Sequence, residues 1–474
     1  MGETPRDWRD DRIAELEAEN AQLKQMLREA LQRIAELERM LGLNSQNSSK
    51  PPSTDNERAR KKRRRKKPSG RAPGGQPGHQ GHCRELLPED QVDHIKKHIP
   101  PSCRGCGQEL SAQHATGHPA RHQVFELVPK LVECTEHQLV SCQCPACGEV
   151  TRGRLPAEVA GSGWGSRLSG LSGALSVVCR DSRRQVDWFI SEVIGAPSSL
   201  GTVQKHFEEV SAALEPGFEQ VRAALQHPKN VVGLDETGWR LGNLPYWIWV
   251  AETENLAFYI VREGRRKEFA RELVGESKER IFVTDRYGGY SFLPQNHHQI
   301  CHAHMKREFT AMAAREGPMG DIGVKLHASS EAFQKAWIEV KSGKTSRGEF
   351  VSRMKDEVVP RWLTLLKEAK ALDEKAPGFV GWLLKDAKHV MLWTFLDHED
   401  VEPTNNRAER ALRGPVIQRK LSWGSKSEAG LRLMERLWTA AETCRRQGRS
   451  LLDYITASME ALRGEKAAPV LALA

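Results

Sequence analysis

Three carboxylates on separate segments carry the chemistry that this chain could do. Asp235 lies in Val231-Val232-Gly233-Leu234-Asp235-Glu236-Thr237, and Asp285 in Ile281-Phe282-Val283-Thr284-Asp285-Arg286. Glu409 lies in Asn405-Asn406-Arg407-Ala408-Glu409-Arg410. Carboxylate oxygens are hard ligands that suit magnesium or manganese, and two such ions clamp the attacking and leaving oxygens of a phosphodiester. Taken singly, each acid also reads as an ordinary strand-end or helix-surface residue. The chemistry requires a fold that gathers all three.

The first two segments read as short buried strands, each ending by presenting its acid, and the third as a helix. After Lys229 the pattern predicts strands over 231–239, 246–252, 257–261, 281–284 and 299–302. A helix over 266–273 joins the third strand to the fourth, and another over 304–315 follows the fifth. Three sequential strands, then a helix leading to a fourth, is the order of a ribonuclease-H-like mixed sheet, with Asp235 and Asp285 as neighbours. Residues 321–400 read as a helical insertion that separates the sheet from the Glu409 helix, with Trp337, Trp362, Trp382 and Trp393 in its core. Gly343-Lys344-Thr345 resembles a phosphate loop, but Ile338 stands where that motif needs glycine, which rules it out.

Basic residues surround the third acid: Arg407, Arg410, Arg413, Arg419 and Lys420. On a helix Arg410 and Arg413 lie near one another and could grip phosphates, the plainer reading being solvated surface charge. His302 and His304 could touch DNA or a metal, although magnesium's preference for oxygen favours structural histidines. Asn405 and Asn406 could cap the Glu409 helix, and Glu236 is a spare acid.

Residues 11–42 keep a heptad pattern, with Ile13, Asn20, Leu27, Ile34 and Leu41 at a and Leu16, Leu23, Ala30 and Leu37 at d. A single Asn at an a position favours a parallel dimer, while Met26 and Leu31 widen the stripe and leave a higher oligomer open. A Ser/Asn/Pro-rich linker follows, then the basic run Arg58 to Lys67, in which Arg60, Lys61, Lys62, Arg63, Arg64, Arg65, Lys66 and Lys67 read as sequence-independent DNA contacts. Pro73 to His82 is a Gly/Pro-rich hinge. Cys103-Arg104-Gly105-Cys106 and Cys144-Pro145-Ala146-Cys147 are two C-x-x-C knuckles, 37 residues apart. Four such thiolates make a closed tetrahedral site for one structural zinc, with Cys142 as an alternative ligand and a β-rich insert around Gln123 to Val128. Residues 164–226 are helical by period, with Leu168, Leu171, Leu175 and Val178 on one face. Within them, 185–194 and 198–210 have a helix-turn-helix outline, in which Ser198 caps the second helix and Ser199, Thr202 and Lys205 face DNA.

A length of 474 residues suggests three or four domains, and a net charge of +9 favours a polyanionic partner. No stretch is apolar enough for a membrane span, and no signal core opens the chain. Ten cysteines in such a chain read as reduced thiols or metal ligands. The expectation is a cytoplasmic, nucleoid-associated protein.

These segments together resemble the insertion-sequence-66 family of bacterial DDE transposases over nearly the full length. The resemblance rests on the zipper, Gly74-Gly75-Gln76-Pro77-Gly78-His79, the two knuckles and Arg121 to Leu127. It continues with Asp235-Glu236-Thr237-Gly238-Trp239, Asp285 to Tyr290, Cys301-His302-Ala303-His304 and, most specifically, Asn405 to Arg413 with Val416, Arg419 and Lys420. The resemblance implies that Asp235, Asp285 and Glu409 are a catalytic triad holding two magnesium or manganese ions. It implies nicking of DNA at the element's ends to free 3′-hydroxyls, transfer of these to target DNA, and accessory proteins of the same element. Arg286 departs from the small or neutral residue often seen after the second acid. Two other readings stay open: a catalytically inactive zipper-and-zinc DNA-binding regulator, and a ribonuclease-H-like nuclease.

The expected fold class is multidomain α+β. Its parts are a coiled coil over 1–45, a basic linker over 46–82, a zinc-ribbon-like module over 83–155 and a helical DNA-binding region over 156–228. The ribonuclease-H-like core opens over 229–320, is interrupted by the insertion over 321–400 and closes over 401–445, before a C-terminal element over 446–474.

Overall fold

The computed structural model describes residues 16–30, 33 and 86–472, apart from short stretches at 117–119, 129, 148, 156–158, 160–162, 276–278, 373–375 and 465. The basic run at Arg60 to Lys67, the hinge before His82, Cys83, and the heptad positions Ile13, Ile34, Leu37 and Leu41 lie outside the described residues. The chain divides into two compact units, Lys62–Thr135 and the combination of Met1–Lys61 with Glu136–Ala474. No described helix is long and apolar enough to cross a membrane.

In the smaller unit, residues 123–128 carry no strand, contrary to the β-rich insert expected there. They alternate too little between apolar and polar to pair, and Val124, Phe125, Leu127 and Val128 are all exposed. Gln123 instead bonds the backbone of Leu87 through both ends of its amide, at 2.9 Å each.

In the larger unit, residues 16–30 are helical and exposed. A hairpin of β1 (Ser141–Gln143) and β2 (Val150–Arg152) precedes three helices, α1 (Ser166–Ala174), α2 (Arg183–Trp188) and α3 (Leu200–Ala224). α1 buries Ser166, Ser169, Gly170, Ser172 and Gly173, whereas of the expected face Leu168 and Leu171 are half-buried, Leu175 is buried and Val178 is 55% exposed. The reason is close approach: a Cβ on Gly170 would lie 3.3 Å from the backbone nitrogen of Thr456. The cap of α3 is Ser199, whose Oγ accepts from the Thr202 N–H at 3.2 Å, while Ser198 donates to Asp187. Lys205 is exposed and Thr202 is half-buried.

The centre is a mixed five-stranded sheet, and the protein is α+β. Its strands are β3 (Val231–Leu241), β4 (Leu244–Glu252), β5 (Ala257–Arg262), β6 (Ile281–Thr284) and β7 (His298–Ile300), with α4 (Lys267–Val274) between β5 and β6. The order is β5-β4-β3-β6-β7; β3, β4 and β5 are antiparallel neighbours, and β6 and β7 run parallel to β3. The last strand is shorter than its apolar run suggested, because His302 already opens helix α5 (His302–Ala313).

Next come α6 (Pro318–Lys341) and shorter helices at Arg347–Arg353, Val359–Leu372 and Gly378–Leu384. Their core joins that of the sheet: Phe333, Phe350, Trp362, Trp393 and Phe395 cluster with Val283 and Ile300. Trp362 and Trp393 are buried as expected, whereas Trp337 and Trp382 are half-buried beside Lys and Arg side chains.

The chain then returns as α7 (Asn406–Ser422), α8 (Glu428–Arg446) and α9 (Leu451–Leu462). Pro415 inside α7 cannot donate to the carbonyl of Ala411. The Tyr259 hydroxyl of β5 donates to that carbonyl instead, at 2.9 Å. Gly414 lets α8 approach, since a Cβ there would sit 2.3 Å from the Trp438 ring.

α8 also closes the exposed edge of the sheet. The backbone N–H groups of Ala257, Tyr259 and Val261 on β5 donate to Thr443, Thr439 and Glu435 of α8, at 3.1, 3.1 and 2.6 Å. Every second strand residue meets every fourth helix residue, spacings of about 6.7 and 6.0 Å, so the two ladders stay in register over three bonds. An edge strand covered in this way offers no template to another chain.

Candidate active site

Asp235 stands in the middle of β3, not at the end of a strand as its sequence suggested, because pairing with β4 continues to Leu241. The parallel register decides what it faces. Val231 pairs with Ile281 and Gly233 with Val283, so two residues further on Asp235 comes beside Asp285, the first residue past β6. Neighbouring strands are about 4.8 Å apart, which puts the two acids side by side.

Glu409 reaches them through Asn405. That residue occupies the N-cap position of α7, but its side chain does not cap the helix. Its Nδ2 donates to the carbonyl of Leu234 at 2.7 Å, and its backbone N–H to Cys301 Sγ at 3.2 Å. The helix start is thereby fixed to the residue before Asp235 and to the end of β7, and Glu409 follows one turn later. Asp235, Asp285 and Glu409 line one open cavity of ≈ 1220 Å³.

The electrostatics of this cavity suit a cation. Burial, then the charges of Glu236, Asp285 and Glu409, hold the Asp235 carboxyl well above its ordinary range. Glu409 Oε1 is buried without a hydrogen-bond partner, 3.7 Å from an equally unpartnered His304 Nδ1. Repelling carboxylates with an orphaned oxygen fit a divalent ion with oxygen ligands.

Glu236, the spare acid, is otherwise engaged. Arg265 Nε donates to its Oε1 at 2.6 Å, and the Tyr290 hydroxyl donates to its Oε2. Burial and the charge of Asp285 raise its carboxyl to about 6 against the pull of Arg265. Arg265 in turn lies 3.6 Å over the Tyr287 ring, whose hydroxyl donates to the Arg265 carbonyl. Arg265 was not foreseen, and Tyr287 and Tyr290, though part of the Asp285 to Tyr290 segment singled out above, were given no role.

The basic residues divide. Arg410, Arg413, Arg419 and Lys420 line the cavity with the acids. Arg407 does not; its Nε lies 3.5 Å from the buried Glu252, which also pairs with Arg446 at 2.8 Å. Arg286 also lines the cavity, but it bonds Glu308 at 2.6 Å and lies over Trp382. The histidines divide as well. His302 is buried, stacked on Phe333 at 4.4 Å with Nε2 on the Leu392 carbonyl at 2.6 Å, whereas His304 faces the cavity. Cys301, His304 and Glu409 have ligand atoms within 4.8 Å of one another.

Each cysteine knuckle is a small turn of the same design. Cys103 N–H donates to Gln108 O and Cys144 N–H to Glu149 O, both at 2.8 Å. The N–H groups of Cys106 and Gly105 lower the Cys103 thiol below its ordinary range, and those of Cys147 and Ala146 do the same for Cys144. Thiolates stabilised in this way suit zinc. Cys142 is part of β1.

Residues 182–433 match the family model described as "Transposase IS66 family". Residues 3–85 match a "Family of unknown function (DUF6444)". No curated protein matches the chain. The first match takes in β3 to β7, all three cavity acids and the basic face of α7, more than half of the sequence, and the chain belongs to the IS66 family of transposases.

Proposed function

We propose that this transposase cuts DNA at the ends of its own element and joins the freed 3′-hydroxyls to target DNA, with Asp235, Asp285 and Glu409 as ligands for two magnesium or manganese ions in a ribonuclease-H-like core. The observation that carries the reading is the meeting of these three acids, from β3, the end of β6 and α7, in one cavity that Arg410, Arg413, Arg419 and Lys420 also line. Divalent ions held there would supply Lewis-acid activation of water and of the 3′-hydroxyl.

The chain's own groups do the rest. Arg410, Arg413 and Lys420 hold backbone phosphates beside the acids, with the positional but not sequence-specific grip of cationic side chains. Asn405 keeps Glu409 in register with Asp235. Arg265 and Tyr290 tie down Glu236 so that it does not compete with the three acids. Beyond the cavity, the reading assigns metal-binding thiolates to each cysteine knuckle taken by itself, Cys103 with Cys106 and Cys144 with Cys147, general DNA contact to the basic run, and self-association to the zipper.

The test combines purified protein, magnesium or manganese, and DNA carrying the flanks of its own gene, with Glu409→Gln as control. Nicks ending in a 3′-hydroxyl at the element boundary, absent with the variant, are the expected result. Tight binding by the wild type without any cut, even with the neighbouring gene products added, would point to a DNA-binding regulator. Cutting without joining would point to a nuclease.

A further inference from the structure

Trp423 is the C-cap of α7, and it is 72% exposed with its backbone in the left-handed region at φ 63°. Bulky residues seldom adopt that conformation, and here no burial of the ring offsets it. The main chain around it is nevertheless firmly held. The Trp423 N–H donates to Arg419 O at 2.9 Å, Ser425 N–H to Arg240 O at 2.9 Å, and Gly242 N–H to Ser425 O at 2.8 Å. Trp239 Nε1 donates to Ser425 Oγ at 3.3 Å. A large apolar ring is thus presented to solvent from a rigid base, next to Leu421, itself 64% exposed.

Its place on the helix says what it meets. The cavity is lined by Asn406, Glu409, Arg410, Arg413, Ile417 and Lys420 of α7, which recur at the three- and four-residue steps of one helix face. Trp423 follows Lys420 by three residues, just past the end of α7 and outside the cavity lining, about 20 Å along the helix from Glu409. A phosphate track ending in an exposed aromatic ring is the arrangement by which proteins hold unpaired nucleic acid, the cations taking the backbone and the ring taking a base.

We propose that Trp423 is a stacking platform for a nucleobase unpaired from the DNA end bound in the cavity, an inference that rests on the transposase reading. The cationic lining selects a polyanion as occupant, and the bare ring selects an opened end over an intact duplex. An intact duplex keeps its bases stacked inside and offers the ring only its backbone.

The test uses the full chain with two probes: a DNA hairpin with a short single-stranded tail bearing 2-aminopurine, and a blunt hairpin of equal length. Trp423→Gly removes the ring and also relaxes the left-handed backbone, so the fold is not put at risk. Trp423→Phe keeps a ring. The wild type is expected to quench the 2-aminopurine and to bind the tailed probe about tenfold more tightly than Trp423→Gly does. Trp423→Phe should recover most of this, and affinity for the blunt probe should not change. Equal affinity of wild type and Trp423→Gly for the tailed probe would overturn the proposal. Loss of self-association in Trp423→Gly with unchanged DNA binding would overturn it in favour of a contact between copies. Nicking, with its Glu409→Gln control, is read separately. Stacking without nicking keeps the platform and sinks the transposase reading, and nicking without stacking does the reverse.

Discussion

Asn405 bears on both the stability and the geometry of the site. Asn405→Ala would leave the buried Leu234 carbonyl without its 2.7 Å donor and release the start of α7. The expected loss is about 1–3 kcal/mol in chemical unfolding, together with a fall in strand cleavage out of proportion to that loss. An unchanged cleavage rate would show that Glu409 is positioned by other contacts. Arg446 offers a purely structural contrast. Arg446→Met would leave Glu252, which is 1% exposed, with only the longer Arg407 contact, and should cost about 1.5–3 kcal/mol in chemical unfolding while leaving the remaining folded protein able to bind DNA. At this scale the sequence was informative about residue types. The three acids stood out because each closed or opened a recognisable segment. Their partners did not: Asn405 looked like a helix cap, and nothing singled out Arg265, because a hydrogen bond across the fold leaves no local pattern.

Among the elements, β7 and the helices that follow it carry a pH dependence. His298 and His302 are buried, and burial pushes both down to about 4. Both are neutral in the fold, whereas in the unfolded chain each takes a proton below its ordinary value of 6.5. The contribution of these two histidines is therefore complete above about pH 6.5 and is lost progressively as the pH falls toward 4, by about 3 kcal/mol for each. In urea midpoints measured between pH 7 and pH 5, His302→Phe, which cannot titrate, should gain on the wild type as the pH falls; a constant difference between the two would remove His302 from this account. The five strands were legible because buried apolar runs bounded by turn residues have few other readings. The packing face of α1 was not. Its Ser and Gly residues go inward because α9 comes close, and a hydrophobicity pattern registers only how apolar a face is.

The whole molecule raises the question of assembly. Leu16, Leu23 and Leu27 of the heptad segment are 42, 57 and 60% exposed, so the described part of the a and d stripe is not buried on its own chain. Leu23→Lys should therefore shift the protein to a smaller species in sedimentation, and an unchanged mass would place self-association elsewhere. Zinc released by a strong chelator should be lower for Cys144→Ala than for the wild type, and no zinc from either would remove the metal from this knuckle. The division into a sheet, an insertion and a returning helix could be read from the order of segments, but the closure of β5 by α8 could not, since it depends on matched spacings between two distant elements. That closure has a consequence for the life of the gene. A ribosome that terminates after Arg262 and before Glu428 releases a chain whose β5 edge is bare at Ala257, Tyr259 and Val261. Such a remnant would still carry the zipper, both knuckles and all three acids if the stop fell after Glu409. It would nonetheless be prone to strand-to-strand aggregation and to proteolysis, so a decaying copy removes itself from the cell and does not linger as a competitor for DNA.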